Sequence, residues 1–112
     1  MMIQYVADDT IHSAFDQEIR TLLTTCFTGA HDAVFHHQRY FAEPYPHRWI
    51  VRNAENQLVA HIGVHDKKIE TEGVPYRIGG ICEVSVHPDA RGQGLTKKMF
   101  IEIHRALEEW KF

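Results

Sequence analysis

A chain of 112 residues holds one small domain with one core, and 44% hydrophobic and 24% charged residues are ordinary for a globular protein. A net charge of −3 offers no basic surface for nucleic acid or an anionic membrane, and no apolar run approaches the roughly 20 residues that span a bilayer. Met1-Met2-Ile3-Gln4 lacks the basic-then-apolar start of a signal peptide, and Cys26 and Cys82 form no Cys-x-x-Cys pair, so two free thiols in a cytoplasmic chain are expected.

Taken in order, Ile3 to Val6 reads as a first strand, with Asp8, Asp9 and Thr10 as its turn. Ile11, Phe15, Ile19, Leu22, Leu23 and Cys26 repeat at helical spacing, which predicts a helix from Ile11 or Ser13 to the break at Phe27-Thr28-Gly29. Val34, Phe35, His37, Gln38 and Tyr40 suggest a short second helix within 31–41. Glu43-Pro44-Tyr45-Pro46 is a rigid loop, because each proline fixes φ. Strands follow at Arg48–Arg52 and from Leu58 to His65, the latter running on to Thr71, joined by the polar turn Asn53 to Gln57. Glu72-Gly73 turns the chain into Val74 to Ile78, which leads into a fourth strand from Gly80 to His87. Short turns between these strands argue for an antiparallel meander. After a glycine turn, Leu95, Met99, Ile103, Ala106, Leu107 and Trp110 make the apolar stripe of a last helix, opposite Lys98, Glu102, Arg105 and Glu109.

The stretch between the fourth strand and that helix, Val84-Ser85-Val86-His87-Pro88-Asp89-Ala90-Arg91-Gly92-Gln93-Gly94-Leu95, carries the chemistry. Pro88 ends the strand because it has no N–H for a ladder. Gly92 and Gly94 permit positive φ and bring bare backbone close to a ligand, and the free N–H groups and dipole of the helix beyond favour an anion. Neither Gly-x-x-x-x-Gly-Lys-Ser/Thr nor Gly-x-Gly-x-x-Gly is present, since position 97 is Lys. Arg91-Gly92-Gln93-Gly94-Leu95-Thr96 resembles instead the Gln/Arg-x-x-Gly-x-Gly/Ala acetyl-CoA motif of the GNAT superfamily of N-acetyltransferases, departing from it at Thr96. Leu58-Val59-Ala60-His61-Ile62-Gly63, with Gly73-Val74-Pro75 and Gly79-Gly80-Ile81, resembles the branch of the aminoglycoside 2'-acetyltransferases and the nodulation acyltransferase.

The resemblance implies an α+β GNAT fold over residues 1–112: a meander of about four strands, two N-terminal helices and one helix after the glycine turn. It also implies a domain cut after its third helix, since the family continues with further strands and a fourth helix. Acetyl-CoA is the implied cosubstrate and a small primary amine the acceptor. The backbone of Val84, Ser85 and Val86 would pair with the pantetheine arm and supply an N–H to the developing oxyanion. The backbone of Gln93, Gly94 and Thr96 would take the pyrophosphate, with Arg91, Gly92 and Leu95 shaping the loop and Lys97 and Lys98 near the phosphates. A non-catalytic CoA-binding module and a dimerising remnant remain open alternatives.

Glu83 is the candidate general base, because an ionised carboxylate in an apolar strand needs a partner or a task; pairing with Arg77 or a histidine is the structural alternative. His61 is a weaker candidate, as an acceptor-side proton relay or as a hydrogen-bonded core histidine. Nine histidines raise the question of a metal, but His61 and His65 lie about 13 Å apart on an ideal strand and His36 and His37 diverge on a helix, so none is expected. Ser85 lacks Asp and His partners for a nucleophile, and no basic neighbour activates Cys82. A fourth strand with nothing beyond it, together with bare Trp110 and Phe112, suggests self-association through that strand and the last helix.

Overall fold

Near-continuous apolar runs, buried on both faces, form the central strands of the sheet in the computed structural model, which describes residues 2–112. The strands are β1 (Ile3–Ala7), β2 (His47–Arg52), β3 (Leu58–Thr71) and β4 (Val74–Val86), all antiparallel neighbours in the order β1-β2-β3-β4. Helix α1 (Ser13–Cys26) lies on one face of this sheet and α2 (Leu95–Glu109) on the other. Because side chains alternate along a strand, Val6 and Ile50 meet Ile19, Leu22 and Leu23 of α1. On the opposite face Trp49, Val51, Ala60, Ile62 and Val64 meet Leu95, Met99 and Ile103 of α2.

Two turns secure the register. The Asn53 Oδ1 accepts the backbone N–H groups of Glu55 and Gln57 at 3.0 and 2.9 Å, and Asn56 takes φ 65°, which asparagine tolerates. Between β3 and β4, Glu72 and Gly73 both have positive φ, the geometry of a two-residue hairpin turn that follows the twist of its strands.

Three expectations change. The fourth strand does not begin at Gly80: Val74 to Val86 is one continuous strand, paired with β3 from Thr71 back to Ala60. The second N-terminal helix is a seven-residue 3-10 segment, Ala30–His36, whose one buried residue is Phe35 and which is capped by Asp32, whose carboxylate accepts the Gly29 N–H at 2.9 Å. One buried anchor does not supply the apolar stripe that sustains an α-helix. At the end of α2, Lys111 adopts φ 61°, and the N–H groups of Lys111 and Phe112 return to the carbonyls of Glu108 and Leu107 at 3.1 and 3.0 Å. This is a Schellman cap made without glycine. Trp110 and Phe112 are therefore not bare. Trp110 packs among Tyr5, His47 and Trp49, and Arg77 lies 4.0 Å over the Phe112 ring while donating to the Trp110 carbonyl. Among the described residues no helix is long and apolar enough to cross a membrane.

Candidate active site

The glycine turn opens α2 as its residues require. Gly92 and Gly94 have φ 82° and 70°, and a Cβ added to either would meet nothing within 4 Å, so the left-handed backbone faces open space. Gly94 is the N-cap and supplies no side chain, and no acidic residue occupies the first turn of α2. The helix thus begins with uncapped N–H groups and an uncompensated positive dipole end. They border a cavity of about 340 Å³ lined by Val84, Val86, Arg91, Gly92, Gly94 and Thr96. Arg91 braces the turn by donating from Nε to the Val86 carbonyl at 3.0 Å.

Beside this turn β4 is bulged. His61 pairs with Ser85 and Gly63 with Cys82, so the single residue Ile62 faces both Glu83 and Val84. Glu83 takes φ 44°, a left-handed conformation that glycine normally supplies in such a bulge. Its carbonyl accepts two hydrogen bonds, from His61 Nδ1 at 2.9 Å and from Ser85 Oγ at 3.1 Å. The peptide is trans, so the Val84 N–H points the opposite way, and the register gives Val84 no ladder partner of its own on β3. At the other end of the residue, Glu83 Oε2 is buried and has no hydrogen-bond partner. The neighbouring Tyr45 hydroxyl and Cys82 thiol are both held well above their usual pKa values, chiefly by burial, with the charge of Glu83 adding to it. Both keep their protons at neutral pH.

Behind the bulge lies a buried charged network. The Arg48 side chain is fully buried and donates from Nε to Asp8 at 3.0 Å, from Nη1 to the Tyr45 hydroxyl at 2.9 Å and to His61 Nε2 at 3.0 Å, and from Nη2 to the Arg39 carbonyl at 3.0 Å. Arg39 in turn bridges Asp8 and Asp16, each at 2.8 Å. Burial works against the charge on Asp8, but Arg39 and Arg48 outweigh it and hold the carboxyl below its usual range. Burial, then the adjacent guanidinium, push the pKa of His61 down to about 3, so the ring is neutral.

The structure brings Glu83, Val84, Ser85, Val86, Arg91, Gly92, Gly94, Leu95 and Thr96 to one end of β4 and the start of α2. The side chains of four further predicted residues are placed as follows. Ser85 is buried and donates its hydroxyl to the Glu83 carbonyl. Gln93 lines a separate cavity of about 540 Å³ between α1 and the β2–β3 turn. Lys97 is exposed beside Phe100, Ile101 and His104 on α2. His61 is fully buried with both ring nitrogens engaged. Glu83 pairs with neither Arg77 nor a histidine through its carboxylate; Arg77 pairs with Asp66 at 2.7 Å. Sequence reasoning passed over Asp8, Arg39 and Arg48 as parts of the site. The signal for one of them was present: Arg48 opens a strand whose next three residues are apolar. No group of three or more possible metal ligands comes together among the described residues.

Comparison with known proteins gives concordant results. A solved structure from Enterococcus faecalis V583, described as a conserved protein of unknown function and probable N-acyltransferase, superposes with a TM-score of 0.70 at 16% identity. The match covers 99% of this chain and 27% of that one, so the chain spans about a quarter of its relative and shares its fold there. No curated protein shows significant similarity. The profile of the acetyltransferase (GNAT) domain family matches residues 9–112, nearly the whole chain, and the protein belongs to that family.

Proposed function

We propose that this domain transfers an acetyl group from acetyl-CoA to a primary amine of a small molecule. The observation that carries the reading is the uncapped start of α2, reached through two left-handed glycines and opening beside a bulged strand with a free edge. Phosphate oxygens suit those N–H groups, and the open space above Gly92 and Gly94 admits them without a clash. The terminal strand β4 offers Val84 to Val86 as the backbone rail for the pantetheine arm. Acetyl-CoA brings the activated thioester carbonyl. The Val84 N–H, turned outward by the bulge, is the donor to its oxygen, where charge develops on attack. Glu83 takes the acceptor side: its carboxylate would take the ammonium's proton, with the buried, unpartnered Oε2 uncovered as the acceptor binds. In this reading His61 holds backbone rather than moving protons.

Two experiments test the parts separately. Gly94→Val should weaken CoA binding at least tenfold by calorimetry, because Gly94 sits at φ 70° where a β-branched residue is strained. An unchanged dissociation constant would refute the site. Glu83→Gln should lower the rate at neutral pH far more than it lowers CoA affinity. A variant matching the parent in rate and pH profile would reduce Glu83 to a structural residue.

A further inference from the structure

Arg48 and His61 never approach the open edge of β4, yet a continuous chain of hydrogen bonds runs through them to the peptide proposed to polarise the thioester. A guanidinium has donors only, so His61 Nε2, 3.0 Å from Arg48 Nη1, can only accept. The neutral ring must therefore carry its proton on Nδ1, and that proton is aimed at the Glu83 carbonyl 2.9 Å away. Asp8, shared with Arg39, fixes the guanidinium from the other side. Arg48 selects the His61 tautomer, and the tautomer selects the orientation of the Glu83–Val84 peptide.

Stability alone does not account for this arrangement. A buried ion pair is seldom worth more than a well-packed apolar replacement, whereas an ordered network can specify one conformation. The conformation needing specification is an unusual one, since Glu83 sits at φ 44°. Residues in such regions persist when their surroundings over-determine them.

Building on the function proposed above, we propose that Asp8, Arg48 and His61 form a positioning relay that locks the Glu83–Val84 peptide with its N–H facing the acyl carbonyl. The relay acts on the turnover step and leaves cosubstrate affinity nearly unchanged.

Two measurements test it. Long-range ¹H–¹⁵N spectra of the parent protein at pH 7 should show His61 neutral and protonated on Nδ1; protonation on Nε2, or an imidazolium, would overturn the relay without touching the acyltransferase reading. Isotope-edited infrared spectra of acetyl-CoA labelled with ¹³C at the thioester carbonyl give the second. On the parent, the bound carbonyl band should move to lower frequency. With Arg48→Met and His61→Leu the band should return toward its position in free acetyl-CoA, with dissociation constants within about threefold of the parent. His61→Asn keeps an N–H donor near the place of Nδ1 and should retain most of the shift, a rescue that a purely space-filling histidine would not show. Binding with the same band position in all four proteins would overturn the relay alone. Absence of acetyl-CoA binding to the parent would overturn the function and this role with it.

Discussion

Gly63 is the position where one added methyl group tests the architecture of the site most directly. A Cβ there would lie 2.2 Å from Cε2 and 2.6 Å from Cζ of Tyr45, and 2.9 Å from Cys82 Sγ. Carbon atoms settle at about 3.5–4.0 Å, so the ring would have to retreat by roughly 1.3 Å. Little freedom exists for that movement. The hydroxyl accepts from Arg48 at 2.9 Å and donates to the Arg39 carbonyl at 3.3 Å, and the guanidinium carbon lies 4.3 Å from the ring centroid. Overpacking a core costs about 1–3 kcal/mol. Losing a hydrogen bond from a charged donor costs about 1.5–3 kcal/mol. Gly63→Ala should therefore destabilise the protein by about 3–5 kcal/mol. With a urea m-value of about 1.5 kcal/mol/M, the unfolding midpoint should fall by roughly 2–3 M. Leucine at position 45 lacks the ring atoms that the methyl would meet, so in a Tyr45→Leu background the same substitution should cost markedly less, with the 2.9 Å contact to Cys82 Sγ remaining. A loss below about 1 kcal/mol with Tyr45 in place, or an equal loss in both backgrounds, would refute the reasoning.

Acid should destabilise the fold before its carboxylates titrate. His61 is held at about 3 in the folded protein against about 6.5 unfolded, so the unfolded chain binds the extra proton and stability falls as pH drops below 6.5. At about 1.36 kcal/mol per pH unit, roughly 2 kcal/mol should be lost between pH 6.5 and 5. His47, also lowered chiefly by burial, adds in the same direction. Urea midpoints over that range should flatten in His61→Asn, and an unchanged slope would contradict the assignment. Separately, β4 ends the sheet with Ile81 and Val84 exposed, and Phe100 and Ile101 are exposed on α2, so the chain should self-associate through these elements. Light scattering over a concentration series checks this; a monomer of 13.0 kDa at high concentration would refute it.

Local pattern determined most of what the sequence alone decides here. The strands, the two α-helices and the glycine turn follow from periodicity and from residues that permit or forbid particular φ values. Those forces act within a few residues, and the buried stripes of α1 and α2 are the predicted ones. The end of α2 was harder to read because its cap uses Lys111 in a conformation associated with glycine or asparagine. The bulge was hidden for the same reason, since Glu83 stands where a glycine would have announced it. The sequence could also name Glu83 and His61 as candidates without saying what either does. Tertiary structure alone decided that. Asp8, Arg39, Arg48, His61 and Glu83 come from β1's turn, a loop and three strands, and only sheet pairing brings them into one network. Hydrogen bonds between residues 13, 22, 31 and 40 positions apart leave no periodic trace along the chain, because their geometry exists only after the strands have met.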